Sequence, residues 1–113
     1  MKTNKELKED YKSMKPEMGV FQIRNISNGK VFVANGLNMG AKWNRYTTQL
    51  KFGIHFNKEL QKDWNEKGEA NFVFEVLSVL KYSDKEGGDY QAELETLQDM
   101  VVEDMGVRKE NLY

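Results

Sequence analysis

A small α+β domain with a three-stranded, mainly antiparallel sheet flanked by helices is the fold class the sequence predicts, and three patterns carry it. Two apolar stretches, Val20 to Arg24 and Val31 to Ala34, flank Ser27-Asn28-Gly29-Lys30, the composition of a tight hairpin turn. Apolar residues then recur at helical steps across 38–52 and 57–67, followed by an alternating segment at 71–77 and a last amphipathic stretch from Tyr90. The order hairpin, two helices, strand, helix contains no βαβ repeat, so a mainly antiparallel sheet follows.

Taken in order, residues 4–15 are helix-compatible. Leu7, Tyr11 and Met14 form a thin stripe that suits either a docked helix or a frayed segment. Lys15-Pro16 ends it, since a residue before proline avoids helical geometry. In the hairpin, Asn28-Gly29 is expected to supply the positive φ values of a tight turn. The stretch from Val31 to Ala34 is apolar on both faces and is therefore expected at the centre of the sheet. Trp43, Tyr46 and Leu50, with Met39, set the inner face of the first helix, and Gly53 is its stop. Asn57 caps a second helix that buries Leu60 and Trp64 and ends at Gly68. Phe72, Phe74 and Val76 alternate on the third strand. Ser83 to Asp89 reads as a loop, and Tyr90, Leu94, Leu97, Val101 and Met105 trace the final helix. The expected division is a segment at 1–18, one domain at 19–106 and a tail at 107–113.

Length and composition narrow the function. The chain has 113 residues, enough for one modest core. It has no cysteine, which removes disulfides, thiolate metal sites and cysteine nucleophiles together. The charged N-terminus is no signal peptide and no apolar run approaches the ~20 residues of a membrane span, so the cytoplasm is expected and a membrane partner is not. Net charge is −1, yet Lys42, Arg45, Lys51, Lys58 and Lys62 outnumber Glu59 in the centre, while acids dominate from Asp84 onward. This suits a phosphate-facing surface with a repelling flank, or simply two solvated helix faces of opposite sign.

Several pieces resemble the GIY-YIG nuclease superfamily, over most of the chain from Gly19 to Met105. Gly19-Val20-Phe21 stands where the family has Gly-Ile-Tyr, and Phe32-Val33-Ala34 where it has Tyr-Ile-Gly. The Asn-Gly-Lys turn between them, Trp43-Asn44-Arg45, the segment from Leu60 to Glu69 and the strand from Phe72 to Leu77 follow family wording in order and spacing. The resemblance implies phosphodiester hydrolysis with one divalent metal, Mg²⁺ or Mn²⁺. A tyrosine hydroxyl helps activate water, an arginine stabilises phosphate charge, a histidine or tyrosine on the same helix assists proton transfer, and a glutamate on the last helix holds the metal.

The departures fall on those roles. Both motif tyrosines are phenylalanine, Phe21 and Phe32, which keep the ring and lose the hydroxyl. The third motif glycine is Ala34. The arginine position carries Lys42, a cation without the bidentate fork. Tyr46 stands at the proton-transfer position, and His55, the only histidine, matches a histidine of the homing-enzyme branch. The metal glutamate aligns with Gln98, or with Glu95 in an alternative register. An amide holds a divalent ion far more weakly than a carboxylate.

Each position has a structural reading beside the functional one. Phe21, Phe32 and Tyr46 suit core packing, Lys42 a solvated helix face, and His55 a loop hydrogen bond. Glu75 is either an exposed position or one facing the cleft. Three functions follow. One is a catalytically impaired GIY-YIG-type domain that binds nucleic acid, DNA rather than RNA, through Lys42, Arg45, Lys51 and Lys58, with no resident cofactor. The others are a divergent metal-dependent endonuclease, and a domain that docks protein partners through its acidic last helix and N-terminal segment. No helix-turn-helix pattern is present.

Overall fold

The hairpin is built as its composition demands, with one difference at the turn. A computed structural model describes residues 16–81 and 90–113; the expected helical segment at 4–15 and the whole loop from Ser83 to Asp89 lie outside the described residues. Strand β1 (Met18–Asn25) runs antiparallel to β2 (Val31–Gly36), with Phe21 opposite Ala34 and Ile23 opposite Phe32. Gly29 alone takes a positive φ, 77°. Asn28 stays in the ordinary region and uses its side chain instead, accepting the Lys30 N–H at 2.8 Å. The Asn25 side chain accepts the Ser27 N–H at 2.9 Å, so the turn is a longer loop stabilised by Asx contacts.

Helix α1 (Met39–Phe52) starts on Asn38, whose side chain accepts the Ala41 N–H, and stops at Gly53 in the left-handed region. Helix α2 (Lys58–Lys67) starts on Asn57, which caps Leu60, and stops at Gly68. Both caps satisfy donors or acceptors that a helix end leaves unpaired. Strand β3 (Phe72–Leu80) pairs with the other side of β1, and helix α3 (Tyr90–Met105) follows. Between β1 and β3 the register shifts at Val20/Phe21, where Val20 faces Ser78 but Phe21 faces Val76. Beside this bulge, a Cβ on Gly19 would stand 2.1 Å from the Ser78 carbonyl oxygen, so only glycine fits.

The strand order is β2-β1-β3. This corrects the expectation that β2 is central: β1 is. β2 is apolar on both faces because both faces and its edge are covered. Phe32 and Ala34 face the core under α1 and α2, while α3 packs against the other side. The outer edge is closed by the chain's end, where Leu112 pairs in parallel with Val31 and the Tyr113 N–H donates to the Val31 carbonyl at 2.9 Å. The segment read as a tail is therefore docked at the Val31 end of that edge. The Tyr113 hydroxyl donates to Asp63 and accepts from Asn25, and burial, with Asp63 beside it, pushes that phenol up to about 12.

The main core lies between the sheet and helices α1 and α2. Phe21, Ile23, Phe32 and Phe72 meet Met39, Tyr46, Leu50, Leu60 and Trp64 there. Trp43 stacks on Phe74 at 5.4 Å and Trp64 on Phe72 at 5.2 Å. Fully burying such side chains contributes about 1.5–3 kcal/mol each.

Candidate active site

Five of the positions that the resemblance singles out lie around one ring. Tyr46, on the inner face of α1, has its centroid 6.2 Å from Phe21, 5.7 Å from Phe32 and 5.0 Å from His55. The Lys42 ammonium sits 5.8 Å from the Tyr46 centroid, one helical turn earlier. Strands β1 and β2 supply the two phenylalanines, α1 the lysine and tyrosine, and the α1–α2 connection the histidine.

What gathers there is mostly hydrocarbon. Phe21 is fully buried and Phe32 nearly so. Tyr46 is buried too, and burial raises its phenol pKa, an effect that Arg45 partly offsets. Its hydroxyl has no hydrogen-bond partner among the described residues. His55 is 1% exposed, and its Nδ1 accepts the Asn57 N–H at 3.1 Å. That bond places the proton of the neutral ring on Nε2, which is buried without a partner. Burial lowers the His55 pKa, which favours the neutral imidazole that this bond requires.

Beside this cluster opens a cleft of about 390 Å³, lined by Gly36, Leu37, Asn38, Ala41, Lys42, Arg45 and Gln91. It lies at the positive end of α1, whose first turn carries no acid. The Lys42 Nζ donates to the Asn35 carbonyl at 2.7 Å, and burial, reinforced by Arg45, lowers its pKa. Lys42 is thus a fixed, half-buried cation, while Arg45 is exposed at the rim. The other two cations of the expected basic face are elsewhere. Lys51 is nine residues past Lys42, half a turn around the helix at ~100° per residue, and pairs with Glu69 at 3.5 Å. Lys58 opens α2.

On the last helix, Gln98 is bonded to β2 and Glu95 is exposed. Gln98 has both amide atoms occupied, Oε1 accepting from Asn35 Nδ2 at 2.7 Å and Nε2 donating to the Val33 carbonyl at 3.2 Å. Gln91, two turns earlier on the same stripe, donates to the Asn35 side chain at 3.2 Å and lines the cleft. Glu95 lies between them on that stripe and is exposed. A divalent ion of the kind the fold family uses needs anionic oxygens. The cleft lining offers two cations, two amides and no carboxylate, and among the described residues no three His, Asp or Glu side chains gather into a cation site. These residues do not fit the metal.

Glu75 stays out of the cleft. It accepts from Arg24 Nε at 2.7 Å and Gln22 Nε2 at 3.0 Å on the opposite side of the sheet, and the Arg24 bond, followed by the Gln22 bond, lowers its pKa. Sequence reasoning missed Asn35, Asn38 and Gln91. Asn38 was legible as a helix cap, and Gln91 as the residue two turns before Gln98; Asn35 had no signal beyond following the motif.

No protein-family model matches the chain. Over 64 residues it is 31% identical to intron-associated endonuclease 1 of Enterobacteria phage T4, a match spanning 57% of this chain and 26% of the phage protein. Two solved structures of the catalytic domain of intron endonuclease I-TevI superpose with TM-scores of 0.70 (a mutant form) and 0.68, each at 24% identity. They cover 86% and 85% of this chain and 91% and 95% of theirs. No helix among the described residues is long and apolar enough to cross a membrane. The three-stranded antiparallel sheet, its three helices and these likenesses agree: the chain has the fold of the GIY-YIG catalytic domain of homing endonucleases, the family its sequence resembles.

Proposed function

We propose that this domain binds nucleic acid, DNA in the first place, through its basic cleft, and that its capacity for cleavage is impaired. The observation that carries this reading is the cleft itself: it keeps cations at the positive end of α1 and lacks the carboxylate and hydroxyls that hydrolysis needs. A phosphate oxygen meets Lys42, Arg45 and a helix N-terminus there, each favouring an anion. Losing one general base costs ~10²–10⁴ in rate, and further losses add non-additively. The phage relative's printed name, an endonuclease, makes a nucleic-acid ligand the first one to try.

Fluorescence anisotropy with a labelled duplex and a labelled single strand at low salt tests this. Lys42→Glu with Arg45→Glu should abolish most binding and flatten its salt dependence by roughly 0.9 log units per lost phosphate contact. Binding indifferent to both substitutions and to salt refutes it.

One observation favours a divergent endonuclease as a second reading. Glu95 shares the helical stripe of Gln91 and Gln98, so one carboxylate is near the cleft. Plasmid nicking with Mg²⁺ or Mn²⁺ that disappears in Glu95→Ala would establish that reading.

A further inference from the structure

The connection between α1 and α2 is turned inside out. Phe52, Ile54 and Phe56 are 76%, 69% and 63% exposed, while His55 between them is buried. The inversion is held by a polar scaffold beneath. The Gln61 side chain, itself buried, accepts the His55 N–H at 3.1 Å and donates to the Leu50 carbonyl at 2.9 Å. His55 in turn accepts the Asn57 N–H. Gly53 stops α1 with its N–H on the Gln49 and Leu50 carbonyls. Buried polar groups are costly unless paired, and here their pairing fixes a loop whose outward residues are apolar.

We infer that this loop is a stacking platform for unpaired bases of a single-stranded nucleic acid. Charge complementarity selects that ligand over an apolar protein surface. Lys58 and Lys62, four residues apart on one exposed face of α2, make no ion pair among the described residues, and Lys58 stands at the positive end of the helix, where its charge adds to the helix field. Single-strand binders join cations for the backbone to aromatic faces for the bases, and each stacked base contributes about 1–3 kcal/mol. Phe56 offers such a face in register with the candidate site. Its ring stacks on His55 at 4.4 Å and 24° and lies 5.7 Å from Phe32 and 5.9 Å from Tyr46. A base resting on Phe56 would leave its neighbouring phosphates next to the family's active-site positions. The inference rests on the nucleic-acid reading above and specifies the form of the ligand.

The test is an anisotropy titration of the full chain with three labelled probes: an oligothymidylate of about 12 nucleotides, an abasic strand of equal length and charge, and a duplex. The oligothymidylate is expected to bind about 10-fold or more tightly than the abasic strand. Phe52→Ala and Phe56→Leu, the latter keeping apolar bulk while removing the ring, should bring it toward the abasic value and leave duplex binding unchanged. Equal affinity for the first two probes, or unchanged binding in both variants, overturns the platform while leaving the basic cleft standing. Loss of all charge-dependent binding overturns both. Concentration-dependent self-association in sedimentation that the same variants abolish would make the loop an interface between copies, and also overturns the inference.

Discussion

The two faces of the sheet divide their chemistry in opposite ways. Under α1 and α2, the face that carries the family's motif positions is a packed set of rings in which the two polar members, Tyr46 and His55, are buried. On the other face, under α3, polar side chains are abundant and bond to one another: Glu75 with Arg24 and Gln22, and Asn35 with Gln98 and Gln91, with the Gln22 Oε1 alone among them buried without a partner. Polar groups therefore persist where they hold the sheet to a helix or to each other. Around the motif positions the neighbours are mostly aromatic and aliphatic. Binding and cutting need different things from one fold: binding needs accessible cations at a helix terminus, whereas cutting needs ionisable oxygens aimed at a phosphate. The cleft between the faces retains the first set.

The sharpest way to break this contrast is to cut into the ringed face. Phe32→Ala removes a buried ring touching Tyr46, His55 and Phe56 and should lower stability by about 3–5 kcal/mol in denaturant titration. A loss under about 1 kcal/mol would mean this face is not the packed core. Restoring the motif hydroxyl tests the same point from the other side. Phe21 is fully buried, so Phe21→Tyr should strand an unpaired hydroxyl, cost about 1–3 kcal/mol and yield no nicking activity.

A smaller effect comes from pH. His55 is the only histidine, and its folded-state pKa lies below its ordinary value because of burial. Below pH ~6.5 the unfolded chain takes up a proton that the folded chain refuses, so the stabilisation is complete above that pH and is lost as pH falls toward the folded pKa. The urea midpoint should therefore drop between pH 7.5 and 5.5, and His55→Asn, which keeps an acceptor for Asn57, should remove most of that slope. The smallest effect is expected on the opposite face. Arg24 and Glu75 are both about 40% exposed by side chain, so Glu75→Gln should leave the midpoint close to that of the parent protein.

Local chemistry made much of this legible in the sequence. Asn57 caps its helix, Gly53 and Gly68 end theirs, and Phe72 and Phe74 turn to the core, because each signal involves neighbours within a few residues, whereas Val76, read on the same face, is exposed. The position of β2 was not legible. An apolar run says that both faces are covered but not by what, and here α3 and the last two residues supply the cover. Phe21, Phe32, Lys42 and His55 lie together around the Tyr46 ring. Yet which residue of α3 enters the cleft depends on the pitch of that helix against β2, and a sequence alignment across the loop before α3 carries no measure of that pitch. The outward loop was hidden for the opposite reason: Phe52, Ile54 and Phe56 look like core, and only the buried Gln61 that holds the loop reveals their direction.

One sample can decide the central claim, that the fold retains a nucleic-acid-binding cleft and lacks effective cleavage. A labelled plasmid fragment should be titrated with protein by anisotropy in the presence of Mg²⁺ and the same mixtures then resolved on a denaturing gel. The expected result is saturable binding that Lys42→Glu with Arg45→Glu removes, with the fragment intact at full occupancy. Metal-dependent strand breaks that vanish in Glu95→Ala, or the absence of charge-dependent binding, would contradict the account.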